Sequence, residues 1–97
     1  MLIAPLSANT LAKISSGLCD NLITLVCRAW NMKLEQNKLK FPIFICPAMN
    51  TYMWDHPITQ KQLDILNDWG FTQIGPISKK LMCNEIGNGA MAEISHI

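Results

Sequence analysis

The sequence predicts an α/β fold in which parallel strands are joined through helices. Three observations carry that expectation. Short apolar runs ("MLIA", "FPIFIC", "FTQIG") alternate with two longer segments of helical periodicity, and strand–helix alternation of this kind builds a parallel sheet with right-handed crossovers. "FPIFIC" is apolar almost throughout, as suits a strand covered on both faces. Helix punctuation also falls where this plan needs it, with Pro57 at a first turn and Gly70 just past a last one.

Taken in order, residues 1–4 read as a strand, ended by Pro5 and a polar turn. Ser7 or Asn9 then caps a helix beginning near Thr10. Leu11, Ile14, Leu18, Leu22, Leu25 and Ala29 recur at intervals of mostly three and four, a helical stripe. Gly17 interrupts that stripe and Asp20 offers a second cap, so a break near 17–20 is expected, with the helix ending near Trp30. "NMKLEQNKLK" reads as a polar connection. Residues 41–46 form the second strand, with Pro42 at its start, where no ladder donor is missed. "PAMNTYMW" is the turn from that strand toward the next helix. Pro57 opens a helix whose buried side is Ile58, Leu63, Leu66 and Trp69, and Gly70 closes it as a left-handed cap. Residues 71–75 are the third strand. The rest, from Pro76, reads as a long loop, of a length usually tied to function or disorder.

A chain of 97 residues holds one small domain. With 49% hydrophobic and 15% charged residues it is globular in class. Its apolar runs fall well short of the ~20 residues that span a bilayer, and Met1 leads into a strand without a basic leader or a small-residue cleavage site. The formal net charge of +1, with no basic block, gives no electrostatic case for nucleic acid or an anionic membrane. The four cysteines show no CxxC pair and no histidine at zinc-finger spacing. Cys27 and Cys46, in apolar segments, read as buried free thiols of a reducing compartment, whereas Cys83 stands among polar and glycine residues. Three strands and two helices make a thin core for a parallel sheet. The expectation is a partial domain over residues 1–97, lacking the N-terminal half of its sheet.

Two turns share one design. "PLSANT" and "PAMN" each follow a strand and precede a helix, and in open α/β sheets ligands lie beyond the carboxyl ends of the strands. Ser7, Asn9 and Thr10 should therefore share a rim with Ala48, Met49 and Asn50. Hydroxyls, amides and helix N-terminal N–H groups suit a neutral heteroaromatic with carbonyl and imide edges, and the small Ala48 lets a flat ring approach the backbone. The plainer alternatives are a helix cap for "SANT" and core packing for the methionines and aromatics.

"PLSANTLAKISSGLCDNL", "PAMNTYMW" and "MCNEIGNGAMAE" occur in this order, each after its own strand. Across nearly the whole chain this resembles the homo-oligomeric flavin-containing cysteine decarboxylase family, and within it the phosphopantothenoylcysteine decarboxylases. The resemblance implies a flavodoxin-like parallel sheet flanked by helices, FMN as cofactor, cytoplasmic homotrimers with active sites at subunit interfaces, and no nucleic-acid or membrane partner. It implies conversion of 4′-phosphopantothenoylcysteine to 4′-phosphopantetheine in coenzyme A biosynthesis, by thiol oxidation, CO₂ loss and re-reduction. By the same resemblance, Ser7, Asn9, Thr10 and Ala48 contact the flavin, and Met53 lies beside flavin and substrate. Asn50 binds the carboxylate of the substrate's cysteine. Cys83 is the acid of the reductive step, on a flap where Lys80, Met82 and Met91 contact the substrate. The chemistry suits those types: a thiol with pKa ~8.5 is mostly protonated at neutral pH, and a neutral amide avoids stabilising the carboxylate ground state as an arginine would.

The sequence departs from the family in places. The flap there commonly reads Cys-Gly-Asp, and here Cys83 is followed by Asn84 and Glu85; asparagine tolerates the left-handed backbone better than most residues. The family's catalytic histidine and flavin-phosphate loop precede the "PLSANT" motif and have no counterpart here. His56, ahead of Pro57 at a helix start, reads as structural, and His96 matches no motif. The chain alone is therefore expected to be inactive. Other readings by resemblance are a non-catalytic relative serving as a protein phosphatase regulatory subunit, a peptidyl-cysteine decarboxylase and, least favoured by the "SANT" turn, a flavin prenyltransferase.

Overall fold

The computed structural model describes residues 1–80 and 86–90. In chain order the elements are β1 (Leu2–Leu6), α1 (Ala8–Ser16), α2 (Leu22–Arg28), β2 (Leu34–Glu35), β3 (Lys38–Leu39), β4 (Phe44–Pro47), α3 (Thr51–Asp55), α4 (Pro57–Asp68), β5 (Thr72–Gln73), β6 (Ile77–Lys80) and β7 (Ile86–Ala90). The first, fourth and fifth strands form one parallel sheet in the order β1-β4-β5. The apolar run around Ile45 is thus the central strand, as its unbroken hydrophobicity requires: Ile43, Ile45 and Cys46 are fully buried. Pro5 lies inside β1, where the pairing with β4 shifts register between Ile3 and Leu6; a residue without an N–H is accommodated at such an irregularity.

One core joins the layers. Ile3 and Leu6 of β1, Leu11 and Ile14 of α1, Cys27 of α2, Leu63 and Leu66 of α4 and Phe71 meet around Ile43 and Ile45. No helix among the described residues is long and apolar enough to cross a membrane.

Several local expectations are corrected. Ser7, and not Asn9, caps α1: its Oγ accepts from the Thr10 N–H at 3.1 Å. The break falls at Gly17, in the left-handed region at φ +81°. The second helix is capped by Asn21, in a reciprocal box with Thr24. Asp20 is instead held by Lys13, at 2.9 and 3.1 Å. The break resets the helical phase, so the stripe does not carry through it: Leu18, Leu22 and Leu25 are exposed, and Thr24 and Cys27 are buried in their place. On α4, Leu63 and Leu66 are buried as expected, but Ile58 and Trp69 are exposed and Thr59 is buried.

The polar connection contains a small antiparallel hairpin, β2 with β3, whose two central residues Gln36 and Asn37 both take positive φ, as a tight two-residue hairpin turn requires. It seats on the end of α4. A Cβ on Gly70 (φ +98°) would come within 3.0 Å of the Leu39 side chain and 3.2 Å of that of Leu34, so glycine there serves both the helix stop and the packing. The Trp30 indole N–H donates to the Phe41 carbonyl at 2.8 Å and closes the same region. "PAMNTYMW" is also more than a turn, since its second half is most of α3. The tail beyond Pro76 is more than a loop, since β6 and β7 pair antiparallel, Ile77 with Ala90 and Lys80 with Ile86.

Candidate functional site

The carboxyl ends of β1 and β4 lie side by side. Leu6 pairs with Pro47, and the Ala48 N–H donates to the Leu6 carbonyl at 3.0 Å. That rung brings the "SANT" and "PAMN" turns together on one rim, as the shared design predicts. Each turn then enters a helix through a side-chain cap. Ser7 Oγ serves the first, and its hydroxyl also donates to Thr10 Oγ1 at 3.1 Å. Asn50 serves the second, its Oδ1 accepting from the Met53 N–H at 2.9 Å.

A cavity of about 460 Å³ opens between the two helices. From α1 it is lined by Ala8 and Ala12, which lie one turn apart on one face. From the other limb come Asn50, Tyr52 and Met53, and from the junction with α4 His56, Ile58, Thr59 and Gln62. Asn50 and Met53, singled out from sequence, are thus brought together. Ser7, Asn9 and Thr10 form the first turn of α1 beside the cavity, with Ala8 and Ala12 supplying its wall. Ala48 is half-buried at the strand end. Lys80 ends β6, its backbone paired to Ile86. Met82, Cys83 and Met91 lie outside the described residues. The backbone of β7 packs against α3, so the β6–β7 hairpin borders the limb that carries Asn50.

Among the described residues the lining holds no lysine, arginine or carboxylate. Small alanines on one side, methionine and tyrosine on the other, and an amide between them fit the flat, neutral ring system of a flavin more than its phosphate. The Asn50 cap uses only Oδ1, so its Nδ2 hydrogens form the donor side of the carboxamide. His56 is structural, as expected from its place before Pro57: Nδ1 accepts from the Ile58 N–H at 3.1 Å. The residues that sequence reasoning passed over are Ala8, Ala12, Thr59 and Gln62. The signal for the first two was in plain view, since two alanines four apart after a capping serine mark a helix face without bulk.

A larger concavity, about 590 Å³, lies among the end of α1, α2 and the end of α4, lined in part by Gly17, Cys27, Arg28, Trp69 and Phe71. It sits by the start of β5, at the amino ends of the strands, away from the rim where α/β sheets place ligands. Burial pushes the thiols of Cys27 and Cys46 up from their ordinary value, so neither is a ready nucleophile. Among the described residues no group of His, Cys, Asp and Glu is placed to hold a metal.

Comparison with known proteins agrees with this fold. The chain belongs to the flavoprotein family, whose model matches residues 1–97. Its relatives narrow the class. It is 56% identical, over all of its own length and 45% of the other's, to an Arabidopsis thaliana protein named "Probable phosphopantothenoylcysteine decarboxylase". Among solved structures it matches a mutant PPC decarboxylase complexed with pantothenoylaminoethenethiol at a TM-score of 0.83 and 52% identity, covering 97% of this chain and 48% of that one. It matches the FMN binding protein AtHal3 at a TM-score of 0.81 and 53% identity, covering 97% and 47%. The fold is therefore flavodoxin-like, and the chain spans about half the length of the relatives it matches.

Proposed function

We propose that this chain forms the flavin-ring and substrate-carboxylate side of an FMN-dependent phosphopantothenoylcysteine decarboxylase. The observation that carries the reading is the rim itself. Two strand-end turns are joined by the Ala48–Leu6 hydrogen bond and flank a cavity with an alanine wall, an asparagine and a methionine. The relatives are named for this activity, and one was solved with a pantothenoyl compound bound.

When bound, FMN supplies the two-electron oxidation of the substrate thiol and its later reversal. The protein's part is placement. Ala8, Ala12 and Ala48 leave room for a flat ring. Ser7, Asn9 and Thr10 present polar groups at the start of α1. Met53 forms the opposite wall. Asn50 holds the substrate carboxylate with its Nδ2 hydrogens while its Oδ1 fixes α3. Cys83, in this proposal, delivers the proton of the reductive step, and Lys80, Met82 and Met91 flank the substrate beside it. The homotrimer implied by the family belongs to the same proposal. The exposed apolar side chains of Leu18, Leu22, Ile23 and Leu25 offer surface for contact with other chains.

The test is a titration of the chain with FMN, read by flavin fluorescence, followed by incubation with 4′-phosphopantothenoylcysteine and mass detection of decarboxylated product in a protein of the relatives' full length. Saturable FMN binding and 4′-phosphopantetheine formation are expected. No FMN binding and no product from that longer protein would refute the proposal.

A further inference from the structure

The second limb of the site stands on a helix too short to stand alone. α3 has five residues, none of them fully buried, and of these Trp54 packs in part against the core; isolated helices of that length are unstable in water. Its amino end is held by the Asn50 cap. Its other end is held from outside. The hydroxyl of Thr59, on the first turn of α4, donates to the carbonyl of Met53. That carbonyl's other donor is the His56 N–H, at a longer 3.3 Å. Thr59 is only 4% exposed, and its Oγ1 also lies 3.9 Å from the sulfur of Met49. A hydroxyl has one proton, and the carbonyl is the stronger acceptor, so the sulfur contact is packing.

The position of Thr59 is informative. As the third residue of α4 it stands where a capping-box side chain would accept from the backbone N–H of the helix's own cap, His56. It turns the other way instead, and reaches the preceding helix. One buried hydroxyl thus touches both ends of the segment 49–53, within which Asn50 and Met53 face the cavity.

We infer that Thr59 is a positioning residue, which sets the place of Asn50 and Met53 through the Met53 carbonyl. Its link to FMN rests on the reading under Proposed function; its hold on α3 does not. Loss of the hydroxyl leaves a shielded carbonyl with its weaker donor alone, which frees α3 while the core beneath stays packed.

The experiment compares Thr59→Val, which keeps the shape, with Thr59→Ser, which keeps the hydroxyl. Amide hydrogen exchange is read at Trp54, whose N–H bonds the Asn50 carbonyl, and at Phe44, whose N–H bonds the Met1 carbonyl in the sheet. FMN affinity is measured alongside. In T59V, exchange at Trp54 is expected to speed up roughly ten- to hundredfold, with Phe44 unchanged and FMN bound more weakly; T59S is expected to match the wild type in all three. Wild-type exchange at Trp54 in T59V, or equal acceleration at Trp54 and Phe44, would overturn the inference. If T59V does not fold, T59S decides: faster exchange at Trp54 but not Phe44 would show that the methyl, not the hydroxyl, holds α3. If the wild type itself binds no FMN, the flavin reading fails, while the exchange result still decides the role of Thr59.

Discussion

Replacing Asn50 by aspartate separates its cap from the carboxylate binding proposed for it. The carboxamide oxygen caps α3 by accepting from the Met53 N–H at 2.9 Å, and asparagine and aspartate rank alike as N-caps. A carboxylate is also favoured at a helix N-terminus. Asn50→Asp should therefore leave α3 intact, whereas Asn50→Ala should cost about 1 kcal/mol by removing the cap. The other half of the amide behaves oppositely. In the proposed complex its Nδ2 donors become a carboxylate oxygen, facing the substrate's own carboxylate. A charge-assisted hydrogen bond of about 1.5–3 kcal/mol is lost. Repulsion between unit charges ~4 Å apart adds about 1 kcal/mol at the dielectric of water and about 4 at an effective value of 20. Asn50 is exposed, so the lower end is the safer one, and the sum is still about 2.5 kcal/mol, or roughly sixtyfold in affinity. Calorimetric titration of N50D with 4′-phosphopantothenoylcysteine should show that loss. Titration with 4′-phosphopantetheine, which has no such carboxylate, should match the wild type. Equal weakening of both ligands, or of neither, would refute the assignment of Asn50 to the carboxylate.

Gly17 and Gly70 make a matched pair. Both take left-handed φ, but a Cβ at Gly17 meets nothing within 4 Å, whereas one at Gly70 meets Leu39 at 3.0 Å; Gly17→Ala should cost about 1–2 kcal/mol of conformational strain and Gly70→Ala measurably more, by denaturant unfolding. Leu66→Ala, at a fully buried position, should cost about 2–5 kcal/mol in the same assay. The Lys13 ammonium holds the Asp20 carboxyl below its ordinary value, so the pair's contribution is present above the unfolded carboxyl pKa of ~3.9 and is lost as pH falls through the lower folded value. Carbon NMR titration of Asp20 should show the depression in the wild type and its absence in Lys13→Met. In alkylation followed by mass spectrometry, exposed Cys19 should react before buried Cys27 and Cys46.

What could be read in the sequence was whatever the local chain encodes by itself. The unbroken apolar run around Ile45 marked the central strand, and Pro57 and Gly70 marked the ends of α4. That the "SANT" and "PAMN" turns share a rim followed from their common place between a strand's end and a helix. The misreadings share a cause, which is that the deciding partner lies elsewhere. The stripe from Leu11 to Ala29 is continuous on paper, but Gly17 resets its phase, and Thr24 takes the buried place assigned to Leu25. α3 has little buried face to betray it: Trp54 packs part-buried against the core, and Asn50 and Thr59 bond its two ends. The β2–β3 hairpin turns on Gln36 and Asn37, a pair without the glycine that usually signals such a turn. Asn50 itself was assigned to a ligand, and its structural use as a cap became visible only in three dimensions.

The hydrogen bond from Ala48 to Leu6 gives the site a ruler. The spacing of the two turns where they leave the sheet is set by the strand-to-strand distance, about 4.8 Å, which is a property of the peptide backbone and of no particular side chain. Substitutions in either turn can change the side chains offered there without changing the distance between the strand ends that carry them. Variation in the flanking helices is then free to retune the chemistry of the cavity, while the turns from which those helices start stay anchored to the sheet.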